Sequence, residues 1–288
     1  MTEVYKGMTA EFLESEYNLR ARRGPDLDDL MASWVDRSAK FRAVSGGQID
    51  LAYGDGERDT LDYFSTASKQ SPVLFFIHGG YWQRGDKSIY SFIAENFLKH
   101  GVSVALVNYT LTPSVRIGEI PAQLQRAIAW LWQQSDSLGF NRDRFIVSGH
   151  SAGGHLTARM MATQWSQINP QLPSDLIRAG VPMSGLYELE PLVHTSINQG
   201  PQMDIDEAKR ESPCNIPPVT DAPQFVVVGG GESSEFFRQA DDYVNQYQSE
   251  ARVMNRLDVL NDDHFDLLET LADESSGFFG EMMSLIDD

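Results

Sequence analysis

The sequence predicts an α/β fold with a mostly parallel central sheet and helices on both faces. Three observations predict it. Short, continuously apolar runs recur along the chain, as strands buried on both faces require. Segments with helical spacing lie between them, and strand–helix alternation is the pattern of a parallel sheet. One strand-to-helix junction carries Gly149-His150-Ser151-Ala152-Gly153-Gly154, whose glycines suit a turn too sharp for larger side chains.

The elements follow in order. Residues 1–44 read as helical, with Leu27, Leu30, Met31, Trp34 and Val35 at spacings that place them on one face. This stretch is expected to pack over the rest as an arm or cap. Residues 49–53 and 61–64 flank the turn signal Gly54-Asp55-Gly56 and read as an early antiparallel pair. Residues 72–77, 103–107 and 144–148 are the clearest buried strands. Residues 179–183 are a weaker strand because they carry Pro182, and 224–228 and 251–257 complete the set. Helices are expected over 90–99, 122–134, 155–164, 234–248 and 265–285. A chain of 288 residues fits one domain, 1–288.

Composition narrows the class. Hydrophobic residues make up 41% and charged residues 22%, the balance of a folded soluble domain rather than a disordered chain. The net charge of −18 repels nucleic acid and anionic lipid, so neither is an expected partner. Its plain reading is solubility, and adaptation to salty surroundings is the sharper alternative. No apolar stretch is long enough for a bilayer. The opening residues Met1-Thr2-Glu3-Val4-Tyr5-Lys6 lack a secretory pattern, and the single Cys214 cannot form an internal disulfide. A cytoplasmic location is the expectation.

The Gly149–Gly153 segment is G-x-S-x-G between a buried strand and a helix. That context is the nucleophile elbow of the α/β-hydrolase fold, and it makes Ser151 the expected nucleophile. After the strand 72–77 comes His78-Gly79-Gly80-Tyr81-Trp82. An HGGG-type loop at this place supplies backbone N–H groups to an oxyanion hole, although Tyr81 replaces the third glycine here. The hole is assigned to the amides of Gly79, Gly80 and Ala152, with the Tyr81 amide as a substitute for one of them. Two phosphate-like patterns are rejected. In residues 80–88, Asp86 shifts Lys87 out of register with a phosphate loop, and Gly229-Gly230-Gly231 lacks the dinucleotide frame and precedes Glu232.

The base is found by elimination among six histidines. His155 lies behind the elbow, His78 and His150 belong to the motifs, and His100 ends a surface helix. His194 follows the fourth of the buried strands, where it could line the pocket. His264, after the last strand, fits the fold's order of serine, acid, histidine. The acid is expected after the strand 224–228, where Glu232 comes first and Glu235 is the runner-up, with a helix N-terminal role as its plainer reading. The run Asp262, Asp263, His264, Asp266 lacks metal-ligand spacing, so no metal is expected, and no cofactor is implied.

Four segments carry a family resemblance: His78–Trp82, Gly149–Gly154, Ser184-Gly185-Leu186-Tyr187-Glu188-Leu189-Glu190-Pro191-Leu192, and Gly231-Glu232-Ser233-Ser234-Glu235-Phe236 with Arg238-Gln239. Together they resemble the kynurenine formamidase (arylformamidase) branch of the esterase/lipase α/β-hydrolases. The resemblance implies Ser151, Glu232 and His264 as nucleophile, acid and histidine. Glu232 is a departure, because Asp is common in that family. The expected chemistry is acyl transfer to Ser151 with His264 as base and Glu232 orienting it. Tyr81, Trp82 and Tyr187 are candidates to stack on an aromatic substrate.

Three readings of function follow. The first is an esterase for small aromatic or short-acyl esters, and the second a formamidase for N-formylkynurenine. The third, a silent binding protein, is opposed by the intact serine, acid and histidine. The expected partner is a small-molecule ester or N-formyl amide; a homodimer is left open.

Overall fold

The computed structural model describes residues 2–287. Strands β1 (Glu3–Tyr5) and β2 (Met8–Thr9) form a small hairpin that turns at Lys6 and Gly7, both with positive φ. The expectation of a wholly helical N-terminal stretch is corrected there. Three helices follow, Ala10–Tyr17, Leu19–Arg23 and Asp26–Val44. The last buries Leu27, Trp34, Ser38 and Phe41, whereas Val35 is half exposed. Neighbours on a helix point about 100° apart, so Trp34 and Val35 cannot both face the sheet.

The main sheet contains β3 (Gln48–Ala52), β4 (Thr60–Phe64), β5 (Val73–Ile77), β6 (Ser103–Val107), β7 (Phe145–His150), β8 (Ala179–Met183), β9 (Gln224–Gly229) and β10 (Met254–Val259). Their spatial order is β10-β9-β8-β7-β5-β6-β4-β3. The β3–β4 and β4–β6 pairs are antiparallel and the rest parallel. Side chains alternate between two cores, as the two-residue period of a strand dictates. Val73, Phe75 and Ile77 of β5 join helices Ile120–Gln133, Ala152–Met161 and Ser234–Tyr247 on one face. Leu74 and Phe76 join Asp26–Val44, Ala94–Lys99, Asp266–Ala272 and Gly277–Asp287 on the other.

Departures from the sequence reading have local causes. The β8–β9 ladder registers only at Gly180 and Met183, and Pro182, which has no N–H to give, lies in the gap. The β7–β8 ladder beside it is continuous. The region 265–285 divides into two helices because the Asp273 carboxylate accepts from the Ser275 amide and hydroxyl, closing a turn. Strand β10 starts at Met254 rather than 251, since Ser249 and Arg252 close a turn before it. Lys87, central to the rejected phosphate pattern, is buried and pairs with the fully buried Asp62 at 2.9 Å, where Arg42 also binds. Among the described residues, no helix is long and apolar enough to cross a membrane.

One close approach fixes where the elbow stands. A Cβ on Gly153 would collide with the Ile77 carbonyl oxygen of β5, and one on Gly149 with the Gly153 carbonyl. Helix Ala152–Met161 therefore rests directly on the strand ends. Gly153→Ala is expected to lower Tm by roughly 4–8 °C, from overpacking of at least about 2 kcal/mol. Gly277→Ala, which meets open space, should leave Tm within about 2 °C in the same melts.

Candidate active site

Five neighbouring parallel strands deliver their carboxyl ends to one rim, where ligands bind in open α/β sheets. Gly79 and Gly80 follow β5, Ser151 follows β7, Ser184 follows β8, Glu232 follows β9 and His264 follows β10. Ser151 has φ 59°, in the left-handed region that a serine adopts only under constraint. Its N–H donates to the Met183 carbonyl of β8 at 2.8 Å, which anchors the turn.

Glu232 and His264 meet across the rim. The His264 Nδ1–H donates to Glu232 Oε2 at 2.8 Å, and both residues are buried. That bond fixes the tautomer and leaves Nε2 as the basic nitrogen. The other carboxylate oxygen of Glu232 accepts from the Gly229 amide at 3.0 Å and from the Ser184 hydroxyl. Glu235 is committed elsewhere, accepting from Tyr17 at 2.7 Å and from Arg238 at 2.7 and 2.8 Å. His264 is set among aromatic rings, with His150, Phe236 and Phe265 at centroid distances of 4.4, 5.1 and 5.2 Å.

The backbone beside Ser151 is shaped by its glycines. A Cβ on Gly79 would lie 2.7 Å from the His150 carbonyl oxygen and 3.0 Å from Ser151 Cβ, so only glycine lets this strand end approach the serine. Gly80, Tyr81 and Trp82 all have positive φ, and Gly80 accepts from the Gln83 and Arg84 amides at 3.1 Å each. Among the described residues, the amides of Gly79, Gly80, Tyr81 and Ala152 find no protein acceptor. Such unengaged donors can hold an oxyanion.

Ser151, His264, Gly79 and Gly80 line one cavity of about 410 Å³. Tyr81 also lines it, and its hydroxyl donates to the Tyr17 carbonyl at 2.6 Å. The other two aromatic candidates lie off the wall. Trp82 is fully buried and donates from Nε1 to His155 Nδ1 at 3.2 Å. Tyr187 is buried against Tyr243, with ring centroids 4.4 Å apart. Trp34, Tyr90 and Phe265 supply the aromatic surface in their place. His194 is not on this wall; its neighbours Ser196 and Ile197 are.

The remaining buried histidines serve as fixtures. His155 Nε2–H donates to the Glu211 carbonyl at 2.9 Å, and burial pushes its pKa down to about 3. His78 Nδ1–H donates to the Gly79 carbonyl at 2.8 Å, and burial lowers its pKa to about 4. His150 Nε2–H donates to the His264 carbonyl at 2.7 Å, and burial, reinforced by His264, holds it well below the usual histidine range. Among the described residues, no three His, Cys, Asp or Glu side chains are grouped to hold a metal.

The sequence and the fold are similar to those of known proteins. The BD-FAE family model matches residues 61–250. Kynurenine formamidase of Salmo salar is 30% identical over 93% of this chain and 94% of its own length. That of Danio rerio is 28% identical over 94% of each chain. Esterase LipC of Mycobacterium tuberculosis is 27% identical over 76% of this chain and 60% of its own. A crystal structure from Silicibacter superposes with a TM-score of 0.79 at 33% identity, covering 91% of this chain and 94% of that one.

The loops carrying Glu232 and His264 are tied together by N-terminal residues that no motif announced. The Glu16 carboxylate accepts from the Ser234 hydroxyl at 2.6 Å and the Glu235 amide at 3.0 Å, capping a helix whose own Ser233 makes no cap bond. The Glu16 carbonyl accepts from the Ser233 hydroxyl at 2.8 Å. Arg23 pairs with Asp263 at 2.7 Å and Asp266 at 2.8 Å, on either side of His264, which gives those acids a role without a metal. Replacing Glu16 by Ala should cost about 1 kcal/mol in denaturant unfolding, with Glu16→Gln losing less because it keeps an acceptor oxygen. The buried histidines set a pH dependence. Their folded pKa values lie below the ordinary 6.5, so the unfolded chain takes up protons that the folded chain refuses. Their contribution is intact above pH about 6.5 and is lost as pH falls toward 4. Melts across that window should show Tm dropping with acidification, and a shallower drop for His155→Gln.

Proposed function

We propose that this chain, which belongs to the kynurenine formamidase-like branch of the esterase/lipase α/β-hydrolases, cleaves small aromatic or short-acyl carboxylic esters and N-formyl arylamides through an acyl-enzyme on Ser151. The observation that carries this reading is the bond from His264 Nδ1 to a Glu232 carboxylate held by two further donors, beside the same cavity as Ser151. A histidine oriented in this way has its second nitrogen available as a general base.

In the proposed cycle, His264 removes the Ser151 hydroxyl proton as the oxygen attacks the substrate carbonyl. Glu232 keeps the imidazole in place and stabilises its positive charge. The Gly79, Gly80 and Ala152 amides receive the oxyanion, with each such donor typically contributing about 2.7–4 kcal/mol at the transition state. His264 then protonates the leaving alcohol or arylamine. Water, activated by the same histidine, frees the acyl group and restores Ser151.

Within this class, hydrolysis of N-formylkynurenine is favoured by one observation. The likeness to kynurenine formamidases runs over 94% of the Salmo salar protein, whereas the esterase LipC match covers 60% of its relative.

The test is turnover of N-formylkynurenine beside aryl esters of rising acyl length. Ser151→Ala should lower kcat by at least about 10³-fold on every substrate that wild type cleaves. Glu232→Gln should lower it by about 10²–10⁴-fold, mainly in kcat. Full activity of Ser151→Ala would refute the mechanism. A preference for acetyl or longer esters over the formyl amide would overturn the formamidase reading and leave the esterase.

A further inference from the structure

The cavity wall differs in charge from the rest of the molecule. The chain carries 41 acidic residues against 23 basic ones. Among the described residues, no Asp or Glu lines the cavity that contains Ser151, but two arginines do, Arg20 and Arg84. Arg20 is neutralised by Asp28. Among the described residues, the Arg84 guanidinium has neither a carboxylate nor a hydrogen-bond acceptor.

Arg84 is also rooted where it matters. Its amide closes the turn on the Gly80 carbonyl at 3.1 Å. Its side chain starts over Gly80, since a Cβ there would lie 2.9 Å from Arg84 Cγ and collide with the Arg84 carbonyl. The stem therefore leaves from the loop that lies against Ser151, while the residue as a whole stays exposed. Burial, with the Glu232 and Glu14 carboxylates, pushes the Tyr81 pKa up, and Arg84 opposes that rise.

We propose that Arg84 is an anion-recognition residue, so that the cavity selects substrates whose leaving group carries a carboxylate. This rests on the serine-hydrolase reading given above. A guanidinium binds a carboxylate through two parallel hydrogen bonds, and no protein carboxylate competes for this one. An anionic substrate is repelled by a surface of net charge −18, and a cation on the cavity wall offsets part of that repulsion where the substrate binds. An arylamine leaving group bearing an amino-acid carboxylate meets the requirement. A plain phenyl ester does not.

The experiment compares two isosteric esters, para-acetoxybenzoate and its neutral counterpart para-acetoxybenzamide, by the ratio of their kcat/KM values. Wild type should favour the carboxylate, and Arg84→Gln should reduce that ratio by about tenfold. Arg84→Glu should reduce it further, and added salt should reduce it in wild type. A ratio unchanged by both substitutions, or a wild-type preference for the benzamide, overturns the proposal. Calorimetric binding of para-acetoxybenzoate to Ser151→Ala, with and without Arg84→Gln, reads the same contact without turnover. About tenfold weaker binding in the double variant supports Arg84 even if neither ester is cleaved, in which case only the esterase reading fails. Equal binding overturns Arg84 alone.

Discussion

The site depends on a backbone-to-backbone approach at the centre of the sheet. Helix Ala152–Met161 starts immediately after Ser151, with Gly153 laid on the Ile77 carbonyl and Gly154 against β8, where a Cβ would stand 2.7 Å from the Met183 carbonyl. With the helix that close, the chain must leave β7 through a single left-handed residue, and that residue is Ser151. The same packing brings the β5 exit at Gly79 beside Ser151, so the serine and the free amides share one constraint.

The second organising feature is a buried carboxylate with several donors. Burying a charge is costly unless it is paired and hydrogen-bonded. Glu232 meets His264, the Gly229 amide and the Ser184 hydroxyl, which come from three neighbouring strand ends. The carboxylate therefore orients a histidine and also joins the loops after β8, β9 and β10. Its longer side chain, compared with the aspartate common in the resembled family, is accommodated in this arrangement.

Much of this was legible in the sequence. The buried strands have an apolar signature that does not depend on distant partners, and the elbow glycines are dictated by local geometry. Ser151, Glu232 and His264 follow from chain order at the ends of β7, β9 and β10, and the structure brings Glu232 and His264 into contact. What escaped was set by contacts between remote segments. Trp82 and Tyr187 sit beside motif residues, yet their rings turn into the core toward His155 and Tyr243. Sequence spacing gives a residue's neighbourhood, not its side-chain direction. Glu16, Tyr17 and Arg23 look like ordinary polar residues of a helical arm, because their partners lie more than 200 positions away.

Those distant ties have a consequence for how the molecule comes into being. Residues 16 and 23 leave the ribosome long before Ser233, Ser234 and Asp266, with which they bond across separations of 217 to 243 positions. Contacts this far apart in sequence are among the last to close. The elbow and its central strands can assemble while the chain is still being made, but the loops carrying the acid and the histidine reach their final attachment only once residues 233 to 266 have been made. A nascent chain would thus hold its serine in place before it had the means to use it.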